Sequence, residues 1–89
     1  MFVLDSHCDT PSQIHRLRDL SLDNEFAHVD FPKLKKGGVD GAFFALYIPA
    51  DLDVAAAREY MMCLLEDVRR TVSDNADKAT LTISHSQAL

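Results

Sequence analysis

At 89 residues, the chain is one small domain or part of a larger one, without room for a second domain. Its composition, 47% hydrophobic and 26% charged, is typical of a soluble globular protein rather than a disordered or membrane-embedded one. Acidic residues outnumber basic ones by 14 to 9 without a concentrated basic run, which argues against a nucleic-acid binder.

The first predicted element is a strand at residues 1–9, apolar over its first four positions and polar after them. This apolar stretch is too short for the core of a signal peptide. No other apolar run reaches the roughly 20 residues that cross a bilayer. We therefore expect a cytoplasmic location and no membrane contact from this segment. Pro11 should end the strand.

A short helix is predicted over residues 12–20. Ser12 is a candidate N-cap, and apolar residues recur at every third position, namely Ile14, Leu17 and Leu20. Residues 21–27 are expected to form a loop. A one-turn helix is predicted over residues 32–36, because a proline opens it and two glycines follow it.

Residues 39–48 are nearly unbroken in apolar character, which predicts a strand covered on both faces in a parallel sheet. The clearest helix is predicted over residues 52–73, with Asp51 or Asp53 as its N-cap. Its apolar stripe has spacings of four and three: Ala57, Met61, Leu64, Val68 and Val72. An ion pair one turn apart is expected on its outward face, between Glu66 and Arg70.

Residues 79–84 alternate well enough to predict a third strand with Leu81 and Ile83 on one face, and a new helix could begin at Ser86. Strands that alternate with helices indicate an α/β fold with a parallel sheet and helices on one side. A closed eight-unit barrel takes roughly 250 residues. We therefore interpret residues 1–89 as an incomplete domain, the first third of a (β/α)8 TIM-like barrel.

Residues 5–11, Asp-Ser-His-Cys-Asp-Thr-Pro, contain the candidate site. His7 and Asp9, two apart on a strand, project from one face, so an imidazole nitrogen and a carboxylate oxygen can converge on one divalent cation. A bare His-x-Asp pattern is common, but this one ends a strand, where barrel enzymes place their sites. Asp5 should face the same way, either as the acceptor that fixes the imidazole or as an ordinary strand-end carboxylate.

The remaining cysteines and histidines are given no metal role. Cys8 should point to the face opposite His7, and both it and Cys63 are expected to be reduced thiols, since a disulfide scaffold of this length would have more cysteines. His15 is expected on a solvated helix face and His28 in a local hydrogen bond, while His85 has no assigned role.

Three segments resemble the membrane (renal) dipeptidase family of zinc-dependent metallopeptidases. Residues 5–11 resemble its first metal-binding motif, Asp-x-His-x-Asp-Thr/Leu-Pro. Residues 28–39, His-Val-Asp-Phe-Pro-Lys-Leu-Lys-Lys-Gly-Gly-Val, resemble its Val-Asp-Leu-Pro-Arg-Leu-Arg-x-Gly-Gly-Val stretch. Residues 43–49, Phe-Phe-Ala-Leu-Tyr-Ile-Pro, are similar to its Gln-Phe-Trp-Ser-Val-Tyr-x-Pro strand. A chance match of all three in this order is improbable, so the chain resembles an N-terminal fragment of that family.

The resemblance implies a metallo-dependent hydrolase barrel in which two zinc ions, bridged by a glutamate, hydrolyse dipeptides with a metal-activated water. His7 and Asp9 match the family's first-strand ligands to one of these ions. The bridging glutamate is not expected within this chain, because its context matches none of Glu25, Glu59 and Glu66. The chain therefore holds no complete catalytic set, and we expect it to be inactive alone.

The strand near residue 45 departs from the family pattern. Ala42 and Phe44 stand where family members often have glutamine and tryptophan, which weakens any substrate contact from this strand. Tyr47 is retained and is a candidate for facing the substrate, although a tyrosine in an apolar strand is more often a core residue.

Two alternatives to the dipeptidase remain open. Metal-dependent deoxyribonucleases and related amidohydrolases also open with a strand-end motif, but theirs is typically His-x-His, and Asp9 counts against them. A non-catalytic truncated chain is the other alternative. For such an incomplete barrel we expect self-association or contact with the rest of a longer chain, because strand edges and apolar faces are left uncovered.

Overall fold

The computed structural model describes residues 1–15 and 18–88, with only the main chain of His15 and His85. In chain order its elements are β1 Leu4–Cys8, α1 Pro11–His15, α2 Phe31–Lys36, β2 Gly41–Phe44, α3 Val54–Asp74 and α4 His85–Ala88. No helix in the described ranges combines the length and apolar character needed to span a bilayer.

Strands β1 and β2 form a parallel two-stranded sheet, which confirms the α/β class and the parallel pairing. Leu4 pairs with Gly41, Asp5 with Ala42 and Cys8 with Phe44. From Asp5 to Cys8 the chain of β1 advances three residues, while β2 advances only two, so β1 has one additional residue here. Such an insertion is a β-bulge, which bends the strand and changes the direction of its side chains.

The predicted third strand is wrong. Residues 79–84 form no strand, and Leu81 and Ile83 are exposed. Local hydrogen bonds favour a helix start instead: the Ser84 hydroxyl accepts from the Gln87 amide at 3.3 Å, and the Gln87 side chain accepts from the Ile83 amide at 2.8 Å. This arrangement is close to a capping box. It starts α4 at His85, one residue before the predicted position.

Helix α1 begins at Pro11, so this proline opens a helix as well as following the strand. Ser12 is not the N-cap, because its hydroxyl donates to the carbonyl of Asp9 at 3.0 Å. Arg18 and Asp19 have no regular structure, so the helix predicted over residues 12–20 does not extend to its predicted end. Leu17, in the predicted apolar stripe, lies outside the described residues.

Helix α2 confirms the short helix predicted near residue 32, and it begins one residue earlier. Asp30 is its N-cap and accepts from the main-chain amide of Lys33 at 2.8 Å. Gly37 ends the helix, and Gly38 adopts a left-handed φ of 75°, which is costly for a residue with a Cβ.

Helix α3 matches its prediction within two residues at each end. Asp53 is the N-cap and accepts from the Ala56 amide at 2.8 Å. Every residue of the predicted apolar stripe is at least partly buried, and Leu64 and Val68 lie in the interior. The expected partner of Arg70 is wrong, since its guanidinium binds Asp67 at 2.9 Å instead of Glu66.

The core lies between the helices and one face of the sheet. Its buried residues are Ile14, Leu20, Phe31 and Val68, and five partly buried side chains pack against them: Leu34, Phe44, Leu46, Val72 and Ala79. Helix α1 packs against α3. Parallel sheets in α/β proteins are normally covered on both faces, and the helices here cover one of them.

The other sheet face is apolar and uncovered, so the prediction of a second strand buried on both faces is wrong for this chain. Phe2 and Leu4 are exposed and lie over Gly41, where an added Cβ would be 3.1 Å from the Leu4 side chain. Phe43, two residues beyond Gly41, is 61% exposed. A barrel would cover this face with further strands, but two strands do not close one.

We expect the isolated chain to self-associate through this sheet face. Apolar surface contributes roughly 25 cal/mol per Å² when buried, so covering a few hundred Å² is worth several kcal/mol. Phe43→Ser should lower the association measured by sedimentation equilibrium. The matched control is Phe26→Ser, because Phe26 is 94% exposed outside either strand. A compact monomer at all concentrations, or an equal effect of both substitutions, would contradict this expectation.

Candidate metal centre

The C-terminal end of β1 presents an imidazole and a carboxylate side by side. His7 Nε2 lies 3.0 Å from Asp9 Oδ1, and the two side chains are 68% and 55% exposed. Because Asp9 follows the last residue of the strand, the pair lies where the strand gives way to α1. The two residues singled out from the sequence are therefore adjacent in space and open to solvent.

Hydrogen bonds to the main chain hold the segment that carries this pair. The Asp5 carboxylate accepts from the His7 amide at 3.1 Å, and the Ser12 hydroxyl donates to the Asp9 carbonyl at 3.0 Å. In this structure Asp5 thus holds the backbone of His7, and its role as the acceptor for the imidazole remains a prediction. The register shift between Asp5 and Cys8 places a β-bulge in the same segment.

Cys8 faces away from the imidazole and carboxylate. It is buried, and its Sγ lies 3.0 Å from Thr10 Oγ1, which is buried as well. Cys63 is exposed, and both cysteines are free. The sequence offered no sign of the bond between the Cys8 and Thr10 side chains, because it depends on how sharply the chain turns after the strand.

The pair fits a divalent cation of the zinc type. Two ligand atoms about 2.0 to 2.2 Å from a tetrahedral zinc ion lie roughly 3.4 Å apart, so the 3.0 Å between His7 Nε2 and Asp9 Oδ1 needs to widen by only a few tenths of an ångström. Imidazole nitrogen and carboxylate oxygen are both common zinc ligands. Within residues 1–15 and 18–88, however, no group of three or more potential metal-ligating side chains is found.

The end of β2 lies beside the candidate pair. The Ala45 amide donates to the Cys8 carbonyl at 2.8 Å, which extends the parallel pairing one residue past β2. Tyr47 follows two residues later and is exposed. Its side chain is thus not a core residue here, and its role in facing a substrate remains a prediction.

The remaining acidic candidates and His28 form no group of three potential metal ligands with His7 and Asp9 in the described part of the chain. Glu25, Glu59 and Glu66 are exposed, as is His28. The side chains of His15 and His85 lie outside the described part of the chain.

A second polar cluster surrounds the fully buried carboxylate of Asp30. Its Oδ2 accepts from the Lys33 ammonium at 2.5 Å and from the Asn24 amide at 3.0 Å, and Arg18 Nη2 lies 3.5 Å away. Lys33 also pairs with Asp23 at 2.8 Å. The carboxylate therefore ties the loop before α2 to the first turn of that helix.

Electrostatics at Asp30 favour the ionised form. Burial raises the pKa of its carboxyl, but hydrogen bonds from the Lys33 side chain and from the amides of Asn24 and Lys33 lower it from 3.8 to about 2. Hydrogen bonds to Asp23 and Asp30 raise the pKa of Lys33 in turn. An aspartate directly before a proline-containing helix is an N-cap signal in the sequence, but nothing there indicates that it is buried.

Two grooves in the described structure lie away from the candidate pair. One of about 370 Å³ lies between the segment after α1 and the end of α3, where Arg18, Asp74 and Asn75 contribute to its lining. Another of about 290 Å³ lies on α3 beside Tyr60 and Cys63. Neither includes His7 or Asp9 in its lining.

Comparison with known proteins identifies the family. The whole chain, residues 1–89, matches the family described as Membrane dipeptidase (Peptidase family M19). A comparison with curated proteins gives no match. The family match confirms the resemblance of the three sequence segments and supports a peptidase, a hydrolase of peptide bonds, at the level of the family. Because the match spans every residue, the chain belongs to the membrane dipeptidase family.

Proposed function

We propose that this chain supplies the first metal-binding motif of a zinc-dependent dipeptidase, with His7 and Asp9 as ligands to one zinc ion. The 3.0 Å approach of His7 Nε2 to Asp9 Oδ1 at the end of a parallel strand is the observation that carries the proposal. The family match supports a peptidase over a metal-dependent deoxyribonuclease.

The residues of the chain bind and orient the cation. A bound zinc ion supplies a water with a pKa lowered to about 7 and polarises the scissile carbonyl. His7 and Asp9 would hold the ion through one nitrogen and one oxygen, at the point where both side chains are accessible to a dipeptide. The main-chain bonds from Asp5 and Ser12 fix the segment on either side.

A complete site needs further ligands than this chain supplies. A family site of this kind uses a bridging glutamate and later histidines, and the described residues include no third ligand beside His7 and Asp9. We propose that these ligands, and the further strands of a (β/α)8 barrel, belong to a longer polypeptide. Tyr47 would stand near the substrate at the same sheet edge.

A zinc titration followed by NMR tests the proposed ligands. As Zn²⁺ is added to the chain, the imidazole signals of His7 should shift in a saturable manner, because this histidine has a carboxylate partner at ligand distance. His28 is exposed and serves as an internal control. Shifts that are equal for the two histidines would contradict the assignment.

We expect the isolated chain to show no dipeptide hydrolysis, even with saturating zinc. Two ligands hold the ion weakly, and neither is the bridging carboxylate that would position the attacking water. Dipeptide turnover is measured beside a His7→Ala preparation, which reports contaminating peptidase. Turnover by the chain that His7→Ala abolishes would show that the site is more complete than proposed.

A further inference from the structure

The buried bond between Cys8 and Thr10 joins two residues that flank Asp9. Cys8 and Thr10 are 8% and 6% exposed, and their Sγ and Oγ1 atoms lie 3.0 Å apart. Asp9 is the only residue between them. We infer that this bond positions the Asp9 carboxylate beside the His7 imidazole, so that Thr10 is a positioning residue for the zinc site; the inference rests on the proposed function.

Each end of this bond is anchored to a different element. The Cys8 carbonyl accepts from the Ala45 amide at 2.8 Å, which ties it to the end of the sheet. The Thr10 carbonyl accepts from the Gln13 amide at 2.8 Å, which ties it to α1. Fixing the residues on both sides of Asp9 limits the main-chain torsions of Asp9 itself, and therefore the direction of its side chain.

Because the His7 and Asp9 side chains are exposed, their orientation depends on the conformation of the main chain. His7 and Asp9 are more than half exposed, so surrounding side chains do little to select their rotamers. Ligands that are not held in place must be ordered when a cation binds, and this costs conformational entropy. A preformed turn at Asp9 reduces that cost, in the way that outer hydrogen bonds support metal ligands elsewhere.

Four single variants and one double variant of the 89-residue chain test the role of the hydroxyl. Thr10→Val keeps the branched shape and deletes the hydroxyl, whereas Thr10→Ser keeps the hydroxyl. Cys8→Ala removes the bond from its other end. Thr80→Val is the matched control, because Thr80 is exposed. The probe is Zn²⁺ alone, and its dissociation constant is measured by NMR titration far below the thermal midpoint of each variant.

We expect Thr10→Val and Cys8→Ala each to weaken zinc binding by about tenfold, the lower end of the loss seen when an outer partner of a metal ligand is removed. Thr10→Ser should restore most of the affinity, and Thr80→Val should leave it unchanged. The double variant with both Thr10→Val and Cys8→Ala should bind no more weakly than either single variant, since both remove the same bond.

Several outcomes would overturn this inference. A Thr10→Val or Cys8→Ala variant that folds and binds zinc like the wild type shows that the bond supports only the fold. Equal losses in Thr10→Val and Thr10→Ser assign the effect to packing of the methyl group, and additive losses in the double variant assign it to two independent causes. Zinc binding that is absent in the wild-type chain, or unchanged in His7→Ala, overturns the proposed function itself.

Discussion

Replacing His7 or Asp9 with alanine is expected to remove nearly all specific zinc binding by the chain. Each is one of the two proposed ligands, whose nearest atoms lie 3.0 Å apart, and the described residues place no third potential ligand beside them. The loss should exceed the roughly 10- to 100-fold effect of removing an outer partner of a ligand. Zinc titration by NMR or calorimetry provides the measurement.

The controls for these variants are surface residues of the same type. His28→Ala and Asp77→Ala change exposed positions and should leave the zinc dissociation constant unaltered. In a longer polypeptide that completes the site, His7→Ala or Asp9→Ala should lower zinc content by about half or more, together with dipeptidase activity. Normal zinc content and turnover in both variants would mean that the ligands lie elsewhere.

Replacing Asp30 with alanine should destabilise the chain more than any surface substitution. The change removes the N-cap of α2, which is worth about 1 kcal/mol, and leaves the cations of Lys33 and Arg18 without their buried partner. Breaking a buried ion pair from one side costs roughly 3 to 5 kcal/mol. Since small domains are stable by only about 5 to 15 kcal/mol, urea unfolding should reveal a large loss.

Asp23→Ala is the matched control for this variant. It removes the other carboxylate bound to Lys33, but Asp23 is 57% exposed, and exposed ion pairs contribute at most about 1 kcal/mol. A loss from Asp23→Ala as large as that from Asp30→Ala would show that burial of Asp30 is not the cause.

The stabilisation by Asp30 should depend on pH. Because the pKa of Asp30 is about 2 in the folded chain against an ordinary value of 3.8, its ionised form stabilises the fold fully above pH 3.8. This contribution is lost as the pH falls from 3.8 through about 2. The difference in unfolding free energy between wild type and Asp30→Ala should shrink over that range, and a difference that stays constant would contradict the pKa shift.

The sequence predicted the elements whose signals are local. Helix α3 followed from a repeating apolar stripe and an aspartate cap, and α2 from a proline followed by two glycines. In both cases the residues that define the element lie within a few positions of one another. The candidate pair was found for the same reason, because His7 and Asp9 are two residues apart on one strand.

Residues 79–84 do not form the predicted strand, because a strand depends on parts of the chain outside it. Alternation favours a strand only if a neighbouring strand accepts its hydrogen bonds and a core covers its apolar face. Leu81 and Ile83 have neither in this structure, whereas Ser84 and Gln87 satisfy their hydrogen bonds locally. The local helix start therefore prevails over the extended pattern.

The sequence by itself determined the family, the alternation of strands with helices and the residues that could hold a cation. The tertiary structure decided how those residues meet. The extra residue in β1 depends on the register with β2, the burial of the Cys8 and Thr10 side chains depends on packing, and the ionisation of Asp30 depends on polar groups that converge from separate segments. Each of these depends on distances between residues whose separation in space cannot be known until the chain is packed.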